Sequence, residues 1–208
     1  EDPLHYCKDG WNSIARGPED EAVGPYWSVT RYEDIMAIDT DHHRFSSEPF
    51  ITLQNPAEDF PLPMFIAMDQ PKHDIQRQTV APVVASPSLS RMSELIRERT
   101  QTVLNQIPLN KEFDWVNTVS VELTTMMLAT LFDFPFEDRR KLTRWSDVAT
   151  ASPETGIVES ETQRRAELME CVEYFMNLWQ QRVGKEGHDL ITLLANGENT
   201  RDMEPMEY

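Results

Sequence analysis

The sequence predicts a mainly α-helical fold with a small β component. Apolar residues recur at helical spacing through most of the chain after residue 71. One stretch, residues 26–31, has the aromatic and β-branched composition of a short strand. A length of 208 residues with 39% hydrophobic content is enough to bury a core, and no internal repeat divides the chain.

The N-terminal third is predicted to contain little regular structure. Residues 1–24 mix glycines, a proline and acidic residues without a sustained period, which indicates a loop. The strand at 26–31 leads directly into a helix at 32–38. Five prolines between Phe45 and Pro71 exclude long helices there while many side chains stay apolar, so this loop is expected to cover either the core or a ligand cavity.

The remainder of the chain is predicted as a series of helices. The first predicted helix spans residues 72–84. Apolar positions that mark the next three run over residues 89–107, 116–131 and 136–148, followed by a long helix at roughly 158–183 and a short one at 188–194. Ser86 is expected to cap the second of these, with Pro87 at the first helical position. Gly184 is expected to end the longest helix, and Asn196 with Gly197 the last one.

The charge and cysteine content narrow the class of protein. Thirty-six acidic against nineteen basic residues give a formal charge of −17, which disfavours nucleic acids and anionic membranes as partners. Cys7 and Cys171 have no C-x-x-C partner, so we expect two reduced structural thiols, with neither a disulfide framework nor a zinc site. Because no apolar run is long enough for a membrane span or a signal peptide, a soluble, cytoplasmic protein is expected.

His73 and Arg77 are the candidate binding residues. They stand four residues apart at the start of a predicted helix and therefore share a face. An imidazole and a guanidinium so placed can bind two neighbouring carboxylates, such as the two propionates of haem. The alternative is a solvated helix face without a ligand.

Five sequence motifs support the interpretation that His73 and Arg77 bind carboxylates and are not merely a solvated helix face. In order they are PYWSVTRYEDI at residues 25–35, RFSSE at 44–48, AMDQPKH at 67–73, FEDR with RWSD at 136–147, and HDLITLL at 188–194. Their order and separations resemble those of bacterial cytochrome P450s over about residues 23–196. Gln70 stands where that family more often has proline. His73 and Arg77 match the family's H-x-x-x-R motif, which the resemblance implies as the haem propionate ligands.

The resemblance implies the N-terminal part of the cytochrome P450 fold, truncated before its central long helix. Residues 1–208 are then one part of a single domain, with a loop at 1–24, strand, helix and substrate loop at 25–66, a helical region at 67–196 and a loop at 197–208. The chain starts at Glu1 without a methionine and stops at Tyr208 after an acidic loop, so both ends are expected to be cut.

Within the family, the motifs look most like those of the terminal hydroxylases of alkanes and fatty acids. The parent protein is expected to be a haem-thiolate monooxygenase that inserts one oxygen atom from O2 into a C–H bond of an apolar aliphatic substrate. Its implied partners are a ferredoxin and an NAD(P)H-dependent ferredoxin reductase. The resemblance implies substrate contacts by Phe50, Ile51, Leu53, Met64, Phe65 and Ile66. The alternative is that half of these side chains fill the core.

Parts of the family's chemistry are expected to lie outside this chain. Neither cysteine fits the family's F-x-x-G-x-x-x-C-x-G loop, whose cysteine thiolate binds the haem iron. The acid-Thr pair of the family's central helix, which delivers protons to bound O2, is also absent from this chain. We therefore expect no catalytic or metal-binding residue here, and the fragment alone should be inactive. Three E-x-x-R motifs, starting at Glu94, Glu137 and Glu161, are predicted to be surface ion pairs. The alternative function is a non-catalytic acidic helical interaction module; hydrolase and metalloprotease motifs are absent.

Overall fold

The structure is a computed structural model that describes residues 2–8, 25–49, 60, 63–151 and 155–207. The strands and helices are β1 Leu4–Cys7, β2 Tyr26–Val29, α1 Tyr32–Asp39, α2 Lys72–Val80, α3 Ser86–Arg91, α4 Ser93–Asn105, α5 Val121–Phe132, α6 Arg140–Thr150, α7 Glu161–Arg182 and α8 Leu190–Asn196. They fall into two compact units, one running to Ile75 and including Glu207, the other beginning at Gln76, so that the boundary lies within α2. The predicted fold class, mainly helical with a small sheet, is confirmed.

The first unit contains the sheet. β1 pairs antiparallel with β2, and Tyr6 stands opposite Trp27 with its ring centroid 4.9 Å away. The prediction of an uninterrupted loop over residues 1–24 is therefore wrong at Leu4–Cys7. Four residues are too few to show an alternating pattern, and the strand is stabilised by cross-strand pairing with a distant segment. Residues 9–24 lie outside the described part of the chain.

Two of the predicted helices, those over residues 72–84 and 89–107, are interrupted in the structure. The helix predicted over 72–84 ends at Val80 and continues as a 3-10 turn, Ala81–Val84. Pro82 has no N–H to donate to the preceding turn, which accounts for the change of helix type. The helix predicted over 89–107 is divided at Met92 into α3 and α4.

The predicted N-cap of that region is also wrong. Ala85, not Ser86, occupies the N-cap position of α3, and no side chain caps it. The nearby hydroxyl of Ser88 instead donates a hydrogen bond to the carbonyl of Pro82 at 2.7 Å. Pro87 lies in the first turn, but at its second position and not at the predicted first one, because α3 begins at Ser86.

The later helices start and stop largely where local signals indicate. The helix predicted over 116–131 opens with a π-helical turn, Val116–Ser120, before α5. Ser160 caps α7 by accepting a hydrogen bond from the Gln163 N–H at 3.1 Å. Asp189 caps α8 because its carboxylate accepts a hydrogen bond from the Thr192 N–H at 2.8 Å. Gly184, with φ +72°, follows the end of α7 as predicted.

The segment predicted as a terminal loop has some structure. Residues 205–207 form a 3-10 turn, and Thr200 is buried and donates its hydroxyl to the carbonyl of Leu194 at 2.7 Å. The tight packing that buries Thr200 depends on Gly197, because a Cβ at that position would come very close to the Thr200 hydroxyl.

The core of the second unit lies between α5, α6, α7 and α8. Its buried members are Ala129, Phe134, Trp145, Leu178 and Ile191. A second cluster, made of Val103, Val119 and Met126, joins α4 to α5 and the π-helical turn before it. None of the described helices is long and apolar enough to cross a membrane.

Replacing Gly197 by alanine is expected to lower the free energy of unfolding by about 1–3 kcal/mol through overpacking. The added Cβ would lie 2.9 Å from the Leu193 carbonyl oxygen and 2.9 Å from Cγ2 of Thr79. Urea unfolding of the full-length protein measures the change. The exposed neighbour Glu198 supplies the control, since Glu198→Ala should stay within about 0.5 kcal/mol. Equal stability of the two variants would contradict the close approach.

Candidate functional site

Helix α2 carries both predicted ligands. The His73 N–H donates to the Asp69 carbonyl at 3.1 Å, so helical hydrogen bonding begins just before Lys72. Four residues along one helix place His73 and Arg77 on the same face. Arg77 is exposed, and within the described ranges its guanidinium has no hydrogen-bond or ion-pair partner. Its donors therefore remain available to a ligand.

The imidazole of His73 is held by two neighbours. Its ring stacks on the ring of Phe65, with centroids 4.7 Å apart and planes inclined by 24°. Its Nδ1 lies 3.0 Å from Oδ1 of Asp74, within hydrogen-bonding distance. His73 is half-buried, and these contacts leave its Nε2 as the nitrogen that can meet a further partner.

Asp69 ties two distant segments together in what we term the Asp69 clasp, made of Asp69, Ser46, Ser47 and Glu48. The Asp69 carboxylate accepts hydrogen bonds from the Ser46 hydroxyl at 2.6 Å and the Ser47 N–H at 2.8 Å. In return, the Asp69 N–H donates to Oε1 of Glu48 at 3.2 Å. The hydrogen bond from Ser46, followed by that from Ser47, holds the pKa of Asp69 below its usual value.

The clasp explains two of the sequence motifs. RFSSE and AMDQPKH carry the residues of the Asp69 clasp, and the predicted substrate loop lies between them. The sequence shows both motifs but contains no signal that they bond to each other, because they stand more than 20 residues apart. The clasp brings the two ends of this loop together next to the start of α2.

The six predicted substrate residues divide into two groups. Phe50, Ile51 and Leu53 lie outside the described residues. Met64 and Phe65 are half-buried, and Ile66 is 60% exposed. Ala67 and Met68, which follow them, are buried. At the described end of this loop, the Ile66 side chain is therefore exposed, whereas the buried side chains of Ala67 and Met68 hold the chain in place.

Both cysteines have the surroundings of structural thiols. Cys171 packs against the core cluster from α7, and burial, with a smaller contribution from Glu170, raises its pKa to about 11. It is therefore a protonated thiol at neutral pH. Cys7 is half-buried in β1. In the part of the chain that the structure describes, no group of three or more His, Cys, Asp or Glu side chains could hold a metal ion.

Glu122 forms a charged cluster that the sequence analysis missed. Its side chain is 12% exposed and accepts hydrogen bonds from Nε of Arg139 at 3.2 Å and from Nη2 of Arg140 at 2.5 Å. The predicted pair of Arg140 with Glu137 is therefore wrong, whereas that of Glu161 with Arg164 is confirmed at 3.2 Å. Glu122 is the single charged residue of the apolar segment 116–131, which is the signal that could have revealed it.

The pKa of Glu122 reflects two opposing effects. Burial raises the pKa, but the hydrogen bonds from Arg139 and Arg140 outweigh it, and the net pKa lies below the usual value. The carboxylate thus stays ionised and links α5 to the start of α6.

Several known proteins are similar to this chain in sequence and in structure. No family model matches the chain. CYP153D17 from Sphingomonas sp. PAMC 26605 shares 43% sequence identity, with a TM-score of 0.80 over 99% of this chain and 50% of that one. Cytochrome P450-153 from Novosphingobium aromaticivorans shares 37%, with a TM-score of 0.81 over 99% of this chain and 50% of that one. The chain belongs to the cytochrome P450 family.

Curated proteins give the same result for this P450 chain. It is 27% identical to the linalool 8-monooxygenase of Pseudomonas putida. The 199 aligned residues cover 90% of this chain and 48% of that protein. It is 24% identical to a steroid C26-monooxygenase of Mycolicibacterium smegmatis, and the 204 aligned residues cover 95% of this chain and 46% of that protein. The chain spans about half the length of the curated relatives it matches.

The donor set on α2 fits the cofactor of the P450 family. Haem carries two carboxylates, and α2 offers an imidazole edge and a guanidinium fork on one face. Arg77 has no anionic neighbour that would compete for it among the described residues. The chemistry of these side chains is thus compatible with haem carboxylates.

Proposed function

We propose that the full-length protein is a haem-thiolate monooxygenase that inserts one oxygen atom from O2 into a C–H bond of an apolar aliphatic molecule. The observation that carries this proposal is the 43% identity to CYP153D17 over 99% of the chain. The curated relatives support the same reaction class, because they are named monooxygenases. When bound, haem supplies the activation of O2, which a thiolate ligand promotes.

In this proposal, His73 and Arg77 hold the two carboxylates of haem. Arg77 would bind one carboxylate through its guanidinium fork, which suits a planar oxyanion. His73 would donate to the other through Nε2, since its Nδ1 already lies against Asp74. The two side chains would orient the cofactor from α2 without taking part in proton transfer.

The proposed substrates are alkanes or fatty acids, hydroxylated at a terminal carbon. An aliphatic chain can be bound only by burying its surface, and the loop between the two halves of the Asp69 clasp is rich in apolar side chains. Ile66 at the described end of this loop is exposed and free to contact such a chain. The named substrates of the relatives, linalool and a steroid, are also largely apolar.

The remaining partners follow from the same reaction class. Insertion of one oxygen atom from O2, with release of the other as water, requires two electrons and two protons. We propose that a ferredoxin delivers the electrons from an NAD(P)H-dependent reductase. The location expected from composition, the cytoplasm, stays a prediction, as does the expectation that the 208 residues alone are inactive. A purely structural interaction module is a weaker proposal, because the chain is similar to named monooxygenases over nearly its whole length.

The test is to express the full-length protein and record the difference spectrum of its reduced form with carbon monoxide. A haem-thiolate protein should show the strongly red-shifted Soret band of its carbon monoxide complex. Incubation with octane and with dodecanoic acid, together with a ferredoxin and its reductase, should then yield terminal alcohols. A protein that binds no haem, or whose haem lacks the thiolate signature, would overturn the proposal.

Replacing Arg77 by alanine in the full-length protein is expected to speed haem loss about 10- to 100-fold, corresponding to ~1.5–3 kcal/mol for a hydrogen bond to a charged group. Transfer of haem to excess apomyoglobin measures the rate. Arg97 on α4 is also an exposed arginine, so Arg97→Ala serves as the matched control and should leave the rate unchanged. Equal rates for both variants would remove Arg77 from the proposed site.

A further inference from the structure

The ring of Phe65 contacts the imidazole of His73 near the start of α2. Phe65 opens a 3-10 turn, Phe65–Ala67, which is separated from the start of α2 by four residues. Its ring lies nearly parallel to the imidazole, with centroids 4.7 Å apart and an interplanar angle of 24°. Aromatic rings at this separation attract each other in offset stacks, and such a stack fixes the plane of each ring.

A second contact restrains the same imidazole at its edge. Oδ1 of Asp74 lies 3.0 Å from Nδ1 of His73. With its plane set by Phe65 and one nitrogen set by Asp74, the ring has little freedom left, and Nε2 points along one direction. Nε2 is therefore the nitrogen that can donate to a second carboxylate.

The turn that carries Phe65 is itself anchored. The Ala67 N–H donates to the Met64 carbonyl at 2.8 Å, and the Ala67 and Met68 side chains are buried. Immediately after them comes the Asp69 clasp, with its three hydrogen bonds to the segment 46–48. The 3-10 turn and the Asp69 clasp therefore both restrain the backbone near Phe65. Its ring can then hold the His73 ring in one orientation.

We infer that Phe65 is a positioning residue that acts on the cofactor through His73, and that it is not a contact for the substrate. The inference rests on the proposed binding of a haem carboxylate by His73. It gives Phe65 a role different from that of its neighbours Met64 and Ile66, although all three stand together in one apolar run. The flat ring, and not apolar volume alone, is the property that the site requires.

The experiment compares haem loss from the full-length holoprotein in four variants. Phe65→Leu keeps an apolar side chain but removes the flat stacking surface, and it should speed haem transfer to apomyoglobin about 2- to 10-fold, the fold-change expected for one aromatic pair. Phe65→Tyr retains the ring and should restore the wild-type rate. His73→Ala should speed haem loss, and Phe65→Leu added to it should have no further effect.

A matched control and a substrate probe complete the design. Phe45 is an exposed phenylalanine of the same unit whose ring is not the one stacked on His73, so Phe45→Leu makes the same chemical change without removing that stack and should leave haem loss unaltered. Binding of dodecanoic acid, followed by the shift of the Soret band, should be alike in the wild type and Phe65→Leu once each is fully loaded with haem.

The outcomes separate the inference from the proposed function. If His73→Ala loses haem at the wild-type rate, the proposed role of His73 fails, and the inference with it. If His73→Ala loses haem faster but Phe65→Leu does not, only the inference fails. It also fails if Phe65→Leu weakens dodecanoic acid binding while haem loss is unchanged, or if its effect persists in the His73→Ala background.

Discussion

Truncating Trp145 to alanine is expected to lower the free energy of unfolding of the full-length protein by about 3–5 kcal/mol. Trp145 lies on α6 and is 5% exposed. Its ring contacts Phe134 edge-on at 6.3 Å, Tyr174 at 5.4 Å and Phe175 at 6.2 Å between centroids. Removing it takes one member from a cluster to which α5, α6, α7 and α8 all contribute.

The measurement is equilibrium unfolding in urea, followed by circular dichroism. Trp115 is the matched control, because it is the same residue type but 54% exposed. Trp115→Ala should cost about 1 kcal/mol or less, mainly from its contact with Phe113. Because native domains are stable by only about 5–15 kcal/mol, the Trp145 variant should lose a large part of its stability. Similar losses for both tryptophans would show that the aromatic cluster does not form the core.

Replacing Glu122 by alanine is expected to cost about 3 kcal/mol, at the lower end of the range for breaking a buried ion pair. The change leaves Arg139, which is largely buried, without its carboxylate, whereas Arg140 is half-exposed and can be hydrated. Glu161→Ala is the matched control, since Glu161 also accepts from two arginines, Arg164 and Arg165, but at the surface. It should cost less than about 1 kcal/mol.

The contribution of Glu122 should also depend on pH with a definite sign. Its pKa in the folded protein lies below the value in the unfolded chain, which is about 4.3. The stabilisation is therefore fully present above that unfolded value and is lost as the pH falls through the folded pKa. The difference in unfolding free energy between the wild type and Glu122→Ala should be constant near neutral pH and shrink in acid. A difference independent of pH would show that the carboxylate gains nothing from its arginines.

Helix ends illustrate how much of this protein is predictable from nearby residues. Ser160 and Asp189 each accept a hydrogen bond from an N–H three residues ahead, and Gly184 adopts a positive φ after α7. Each of these interactions lies within a few residues of chain, so nearby residues can indicate it, as they did for Gly184 but not for the cap predicted at Ser86. The same holds for the shared face of His73 and Arg77, which follows from the period of one helix.

Contacts between distant segments could not be obtained in this way. β1 forms because Leu4–Cys7 meets Tyr26–Val29, and the Asp69 clasp forms across more than 20 residues. Arg140 binds Glu122, 18 positions away, in preference to the nearer Glu137. In each case the local pattern permits several partners, and the packing of the folded chain selects one.

The sequence by itself determined the fold class, the family resemblance and the pair of donors on α2, since these depend on period, composition and motif order. Only the tertiary structure decided what surrounds those donors. The apolar run around Phe65 predicts burial against a substrate or a core equally well, and the stacking of its ring on His73 distinguishes that residue from its neighbours. The physical reason is that hydrophobic burial is non-directional, whereas a ring stack or a hydrogen bond has a geometry that exists only once distant residues have been brought together.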